Sequence, residues 1–335
     1  MKSPTTWKWL LALAVGMLPA AVAELCTPTS GDYGRVFYVY SQSDLDTIAA
    51  KCTTVDGSIF IGTNYTGSFR LPNVRNITSA FQQEPSFPHK SDPAPTSIDI
   101  PDLEYLGGSL IVDFPTVAKL SAPKLKKVHW ELRVQDVATV DFRSLEEARY
   151  ISVSGNITSL NLDSLRRFGE RCKICNKEYC GPTTPPNYPP LDLSLPSLQT
   201  MGDLTIEGRL SSFNIPKLSN LTALDEGYIK YNFDLRLAIH GDRLNVSFPE
   251  LSTSNLSFFI SGDIARYDLS SCGTSGAVAY LHMRISLSMP KMIDRVPSIT
   301  VTSSTPLDIN LPFQKAEFIG FFGNISRGCD TVQIL

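Results

Sequence analysis

Apolar residues recur along this chain in short triplets rather than in helical stripes. Leu110-Ile111-Val112, Leu132-Arg133-Val134, Ile151-Ser152-Val153 and Leu204-Thr205-Ile206 each read apolar, variable, apolar. The outer pair of each triplet falls on one face of a short strand by the period-two rule. A recurring phrase precedes them: Ile100-Pro101-Asp102-Leu103, Ala122-Pro123-Lys124-Leu125, Leu195-Pro196-Ser197-Leu198 and Ile215-Pro216-Lys217-Leu218, with shortened copies at Ser144-Leu145 and Ser164-Leu165. The anchor leucines Leu103, Leu125, Leu145 and Leu165 lie 22, 20 and 20 residues apart, and Leu198 to Leu218 is another 20. A period of this size predicts a solenoid, each unit being one coil that cannot bury its apolar face alone. The proline ahead of the anchor suits an extended corner and stops helix propagation.

After Phe168 the pattern is interrupted until Leu195, and looser copies follow at Phe248-Pro249-Glu250-Leu251, at Met289-Pro290-Lys291-Met292 and near Leu311-Pro312. Two stretches rich in proline and hydroxyl residues, 84–96 and 183–190, read as surface excursions. Residues 26–52 read as the cover of the open end. Ser43-x-x-Asp46 resembles a capping box, and Leu45, Ile48 and Ala49 make one helical face. Cys26 and Cys52 bracket this cover, and a bond between them would close a loop of about 27 residues, worth about 3–4 kcal/mol on the chain-entropy view.

The phrase Tyr40-Ser41-Gln42-Ser43-Asp44-Leu45-Asp46, followed by Cys52-Thr53-Thr54-Val55-Asp56-Gly57-Ser58-Ile59-Phe60-Ile61 and Leu71-Pro72-Asn73-Val74, resembles the opening of a receptor L-domain. With the Pro-x-Leu units it is similar to the fungal cell-wall organisation family, best from Ser41 to Ile229. That resemblance implies a secreted glycoprotein with tandem L-domain-type repeats, usually GPI-anchored. The expected fold is therefore mainly β: a right-handed β-solenoid of receptor L-domain (leucine-rich-repeat-like) type with an N-terminal helical cap. The expected organisation is a leader over 1–23, a first repeat segment with its cap over 24–180, and a second over 181–335.

Composition and the two ends bear on the compartment. The 335 residues are 42% apolar and 19% charged with a net charge of −3, which excludes a disordered chain and argues against a nucleic-acid binder. Lys2 and Lys8 precede an apolar run, Leu10 to Ala23, that closes on Ala21-Val22-Ala23, the pattern of a secretory signal cleaved before Glu24. No run reaches the length of a transmembrane helix. Residues 328–335 lack the polar spacer and apolar tail of a GPI signal. Seven Asn-x-Ser/Thr sequons, at Asn64, Asn76, Asn156, Asn220, Asn245, Asn255 and Asn324, point to a glycan-coated secretory product in the extracellular space or cell wall.

Candidate chemistry is sparse. Cys172-x-x-Cys175-x4-Cys180 lacks a nearby histidine to complete a zinc set, so a disulfide-tied excursion is the preferred reading. Seven cysteines leave one unpaired or paired between chains, and Cys272 with Cys329 is a further candidate bond. Aligned strands place Ser109, Glu131, Tyr150 and Asp203 in one outward column. Ile111, Arg133, Ser152 and Thr205 form a second, and Asp113, Gln135, Ser154 and Glu207 a third. Glycoside hydrolysis needs two acids within about 5–9.5 Å, and no two acids stack in adjacent coils of these columns. No catalytic residue, cofactor or metal site is predicted, and Asp203 and Glu207 are expected to be dispensable surface acids. The expected function is a non-catalytic wall glycoprotein whose partner is a wall glycan or a surface protein. The alternatives are a β-helical enzyme acting on wall polysaccharide and a secreted recognition or effector protein.

Overall fold

The computed structural model describes residues 24–85, 93–177 and 188–221, the side chains of Arg236 and Leu237, and beyond 221 otherwise the backbone of strand segments. The protein is mainly β, with one helix among the described residues. The chain passes alternately between two parallel sheets. Ala94–Asp99, Lys119–Ser121, Thr139–Asp141 and Ser159–Asn161 belong to a five-stranded sheet with Thr66–Arg70. Between them Leu110–Asp113, Lys127–Gln135, Glu147–Ser154 and Arg167–Asn176 belong to the larger sheet. Such alternation with parallel neighbours is compatible with a solenoid-like fold.

Register follows the triplets. Leu132 pairs with Leu110 and Ile151, and Val134 with Val112 and Val153. The ladder continues from Arg167–Asn176 to Asp203–Asn214 and on to Leu235–Ser247. The outer pairs of the triplets, Leu237 and the anchors Leu103, Leu125, Leu145, Leu165, Leu198 and Leu218 are all buried in one continuous core.

The corner that carries each anchor is a β-turn. The N–H of Leu103 donates to the carbonyl of Ile100, that of Leu125 to Ala122 and that of Leu198 to Leu195, at 3.4, 3.1 and 3.2 Å. Pro101, Pro123 and Pro196 therefore occupy the second turn position, where a fixed φ is favourable and no N–H is required. In the coils without proline the same turn closes at Phe142–Leu145 and Leu162–Leu165. There the second-position N–H needs an acceptor: Arg143 donates to Asp141 Oδ1 at 3.3 Å, and Asp163 to Asn161 Oδ1 at 3.2 Å. After each anchor the next N–H joins neighbouring coils: Lys126 donates to Glu104, Glu146 to Lys126, Arg166 to Glu146 and Gln199 to Arg166.

The helix expected near the N-terminus is present. Helix Gln42–Lys51 buries Leu45, Ile48 and Ala49 against the core. Its capping box lies two residues earlier than the sequence pattern suggested: Ser41 is the cap, and Asp44 Oδ2 accepts from the Ser41 N–H at 2.9 Å. The two overlapping Ser-x-x-Asp phrases are indistinguishable by composition, and only the turn entering the helix selects between them. Cys26 and Cys52 form a disulfide with Cα atoms 5.5 Å apart. It fastens Leu25–Cys26 alongside Thr54–Val55. Of the expected excursion over 84–96, residues 86–92 lie outside the described residues, and Ala94 already begins a strand of the five-stranded sheet.

Candidate functional site

The interruption expected after Phe168 is not an interruption of the sheet. Arg167–Asn176 is a full strand, with Phe168, Cys172 and Ile174 in the core positions. Cys172 pairs in register with Ile151 on one side and Leu204 on the other. A buried cysteine behaves there as a small apolar residue, which a reading in terms of leucine and isoleucine overlooks. Cys172 carries a free thiol, and burial pushes its pKa far up, so it is an inert core group. Cys175 is disulfide-bonded to a partner outside the described residues, where Cys180, Cys272 and Cys329 also lie. The Cys172–Cys175–Cys180 cluster is thus partly a core strand rather than wholly an excursion.

This strand interleaves the outward columns. The first runs Glu131, Tyr150, Arg171, Asp203, and the second Ile111, Arg133, Ser152, Lys173, Thr205, Arg236. The third runs Asp113, Gln135, Ser154, Cys175, Glu207. Four neighbouring strands, from Leu110–Asp113 to Arg167–Asn176, thereby line an open groove of about 430 Å³. Its walls are Tyr150 with Glu131, Arg133, Arg171 and Lys173 on one part, and Ser152, Ser154, Gln135 and Asp113 on the other. Arg133 donates from Nε to Glu131 Oε1 at 2.9 Å, so two of the charges neutralise each other locally.

An aromatic platform adjoins the groove. The strand Lys127–Gln135 has one residue more than its neighbour between Val128 and Glu131, a bulge that shifts the register. Trp130 sits in that bulge and is 43% exposed. The Arg149 guanidinium lies 4.2 Å from the centre of the Trp130 ring, and Tyr150 meets the same ring edge-on at 5.9 Å. Arg149 is itself held by Glu170 at 2.5 Å. The indole is therefore oriented by a cation that has its own anchor. A sequence signal for this existed: core positions Val128 and Leu132 are four apart, whereas Ala148 and Ile151 are three apart.

At the far end of the groove Asp113 has a raised pKa, first through burial and then through the nearby Asp136 carboxylate. Asp136 has a positive φ of 56° and follows Gln135, the ladder partner of Asp113. It stands outside the columns, so a column-by-column search for paired acids passes over it.

Glu207 is not the surface acid expected of its column. Its side chain is 2% exposed, paired with Lys177 Nζ at 2.6 Å and accepting from Arg236 Nε at 2.8 Å. The alternation rule assigns a face and not a depth. Here the chain at Asn176 and Lys177 closes over that face, with Asn176 Nδ2 donating to the carbonyls of Pro189 and Arg209 at 2.7 and 2.9 Å.

Of the glycosylation candidates, Asn64 is exposed in a turn and Asn156 is exposed just beyond the strand Glu147–Ser154. Asn76 is half-buried, and its amide donates to Thr54 Oγ1 at 3.3 Å. Asn220, Asn245 and Asn324 lie on strands, and Asn255 falls outside the described residues. No helix among the described residues is long and apolar enough to cross a membrane. No family model, curated protein or solved structure matches this chain.

Proposed function

We propose that the protein is a right-handed β-solenoid of receptor L-domain type, related to the fungal cell-wall organisation glycoproteins. In this reading it is secreted, N-glycosylated and non-catalytic, and works at the cell wall by holding a wall component against its larger sheet. The observation that carries the binding reading is the groove across four outward-facing strands with an oriented, exposed tryptophan beside it. Right-handedness follows from the general rule for crossovers between parallel strands. The Cys26–Cys52 bond supports an oxidising compartment. The test is sedimentation of the secreted protein with isolated fungal walls, with reducing ends measured in the same samples. The expected result is co-sedimentation with no release of reducing ends from β-glucan, chitin or pectin.

One observation favours the enzyme reading. Asp113 lines the groove with a second carboxylate, Asp136, nearby, and its pKa is raised, the direction a general acid in glycoside hydrolysis needs. Release of reducing ends that Asp113→Asn abolishes would replace the binding reading with that one.

A further inference from the structure

We infer that the groove and the Trp130 platform form a single binding site for a neutral, extended glycan, with one sugar ring stacked on the indole and its neighbours lying along the groove. The inference rests on the binding reading above and adds the ligand class and the residues. A sugar ring presents an apolar C–H face and a rim of hydroxyls. Recognition of both needs a flat aromatic surface next to planar or small polar side chains. Trp130 supplies the first: it is the exposed tryptophan of the described sheet, with Arg149 4.2 Å from the ring centre and Tyr150 against it. Because Glu170 fixes Arg149, the ring is ordered before any ligand arrives, which lowers the entropic cost of binding.

The groove supplies the second. Tyr150 belongs to both parts, contacting Trp130 and lining the groove, so the two surfaces are continuous. Gln135, Ser152, Ser154 and Lys173 offer donors and acceptors at successive strands, about 4.8 Å apart, a spacing that suits the successive hydroxyls of an extended chain. The charges argue for a neutral ligand. Arg133, Arg171 and Lys173 face Asp113 and Glu131, an excess of one positive charge (3 − 2), and Arg133 is already bonded to Glu131. A nucleic acid or polyanion would call for a larger basic excess. An apolar peptide would call for an apolar pocket, whereas this lining is mostly polar.

The experiment titrates the secreted full chain with laminarihexaose, cellohexaose, chitohexaose, mannohexaose and polygalacturonate, reading calorimetry and tryptophan fluorescence. The other two tryptophans, Trp7 and Trp9, lie in the expected leader, so in the product cleaved before Glu24 tryptophan fluorescence reports the platform alone. We expect one neutral oligosaccharide to bind with a change in that fluorescence, and calorimetry to show weaker binding by Trp130→Phe. Trp130→Ala should weaken that binding by about tenfold or more, as truncation of an aromatic anchor does. Lys124→Ala, on an exposed corner, should bind as the wild type does, and circular dichroism should show every variant folded. Equal affinity of Trp130→Ala and wild type would overturn the site while leaving the binding reading intact. Binding to polygalacturonate alone would overturn the neutral class. Wall binding without binding to any of the five glycans would mean a protein partner and would also overturn the inference. Failure to bind walls at all would overturn the broader reading with it.

Discussion

Glu207→Gln removes one charge from between Lys177 and Arg236 with almost no change of shape. Lys177 is 5% exposed and stands 2.6 Å from the carboxylate, whereas Arg236 is 26% exposed and keeps contact with water. The glutamine carbonyl can still accept one hydrogen bond but offers no compensating charge, so the cost falls on the desolvated ammonium. Breaking a buried pair from one side costs about 3–5 kcal/mol. The comparison is Glu147→Gln, because Glu147 also touches two cations, Lys127 at 3.2 Å and Arg167 at 2.6 Å, but at the surface. Surface pairs are worth about 0–1 kcal/mol. The two variants should therefore differ by about 2 kcal/mol or more. Urea unfolding followed by circular dichroism reads the difference. Hydrogen exchange over Arg167–Asn176 and Asp203–Asn214 reads where it falls, since a stacked array need not unfold as one unit. The double variant Lys177→Met, Glu207→Leu should recover most of the loss, because an apolar pair in a buried site avoids the desolvation. Equal midpoints for Glu207→Gln and Glu147→Gln would refute the reasoning.

Three further outcomes are expected. Leu125→Ala should destabilise by about 2–5 kcal/mol and Lys126→Ala by no more than about 0.5, measured by the same unfolding assay, since the first empties a core position and the second removes an exposed pair with Glu104. Asp163→Pro should cost less than about 1 kcal/mol, because the fixed φ that copies the Pro123 turn offsets the lost N–H bond to the Asn161 side chain, whereas Arg166→Pro, which deletes the N–H bonded to Glu146, should cost about 3 kcal/mol or more. Asp102 is held below the usual carboxylate range by the hydrogen bond from Lys124 and then by the Asn73 N–H. Its contribution is present above the unfolded pKa and is lost as pH falls through the folded one, so Asp102→Asn should lower stability at neutral pH and flatten the acid limb of a stability–pH profile.

The parts of the fold that were legible are those set by local rules repeated in every coil. The anchor leucines follow a proline because the turn that carries them wants a fixed φ, and burial of a leucine needs no knowledge of its neighbours. The helix face and the Cys26–Cys52 bond were legible for the same reason. What escaped depended on contacts between coils. Arg167–Asn176 was unrecognised because cysteine fills its core position, and Glu207 was placed on the right face at the wrong depth. The Asp113–Asp136 pair escaped because Asp136 follows the column instead of standing in it.

The misses around the groove share a cause that bears on function. Where the coils meet most closely the chain uses glycine: a Cβ on Gly107 would lie 2.2 Å from the Thr78 carbonyl oxygen, and one on Gly202 the same distance from that of Glu170. In two of the coils between them the corresponding stretch holds Trp130 and Arg149, and the register shifts by one residue between those two strands. A repeat under selection for stacking alone has no use for an exposed indole. Nor does it call for Asp113, an exposed carboxyl in the groove wall whose pKa is raised, first by partial desolvation and then by the Asp136 carboxylate. Both departures border the same groove, where Tyr150 faces the indole and Asp113 forms part of the wall. Local rules that fail together at one place, against an otherwise consistent repeat, mark the part of the surface shaped by something other than folding.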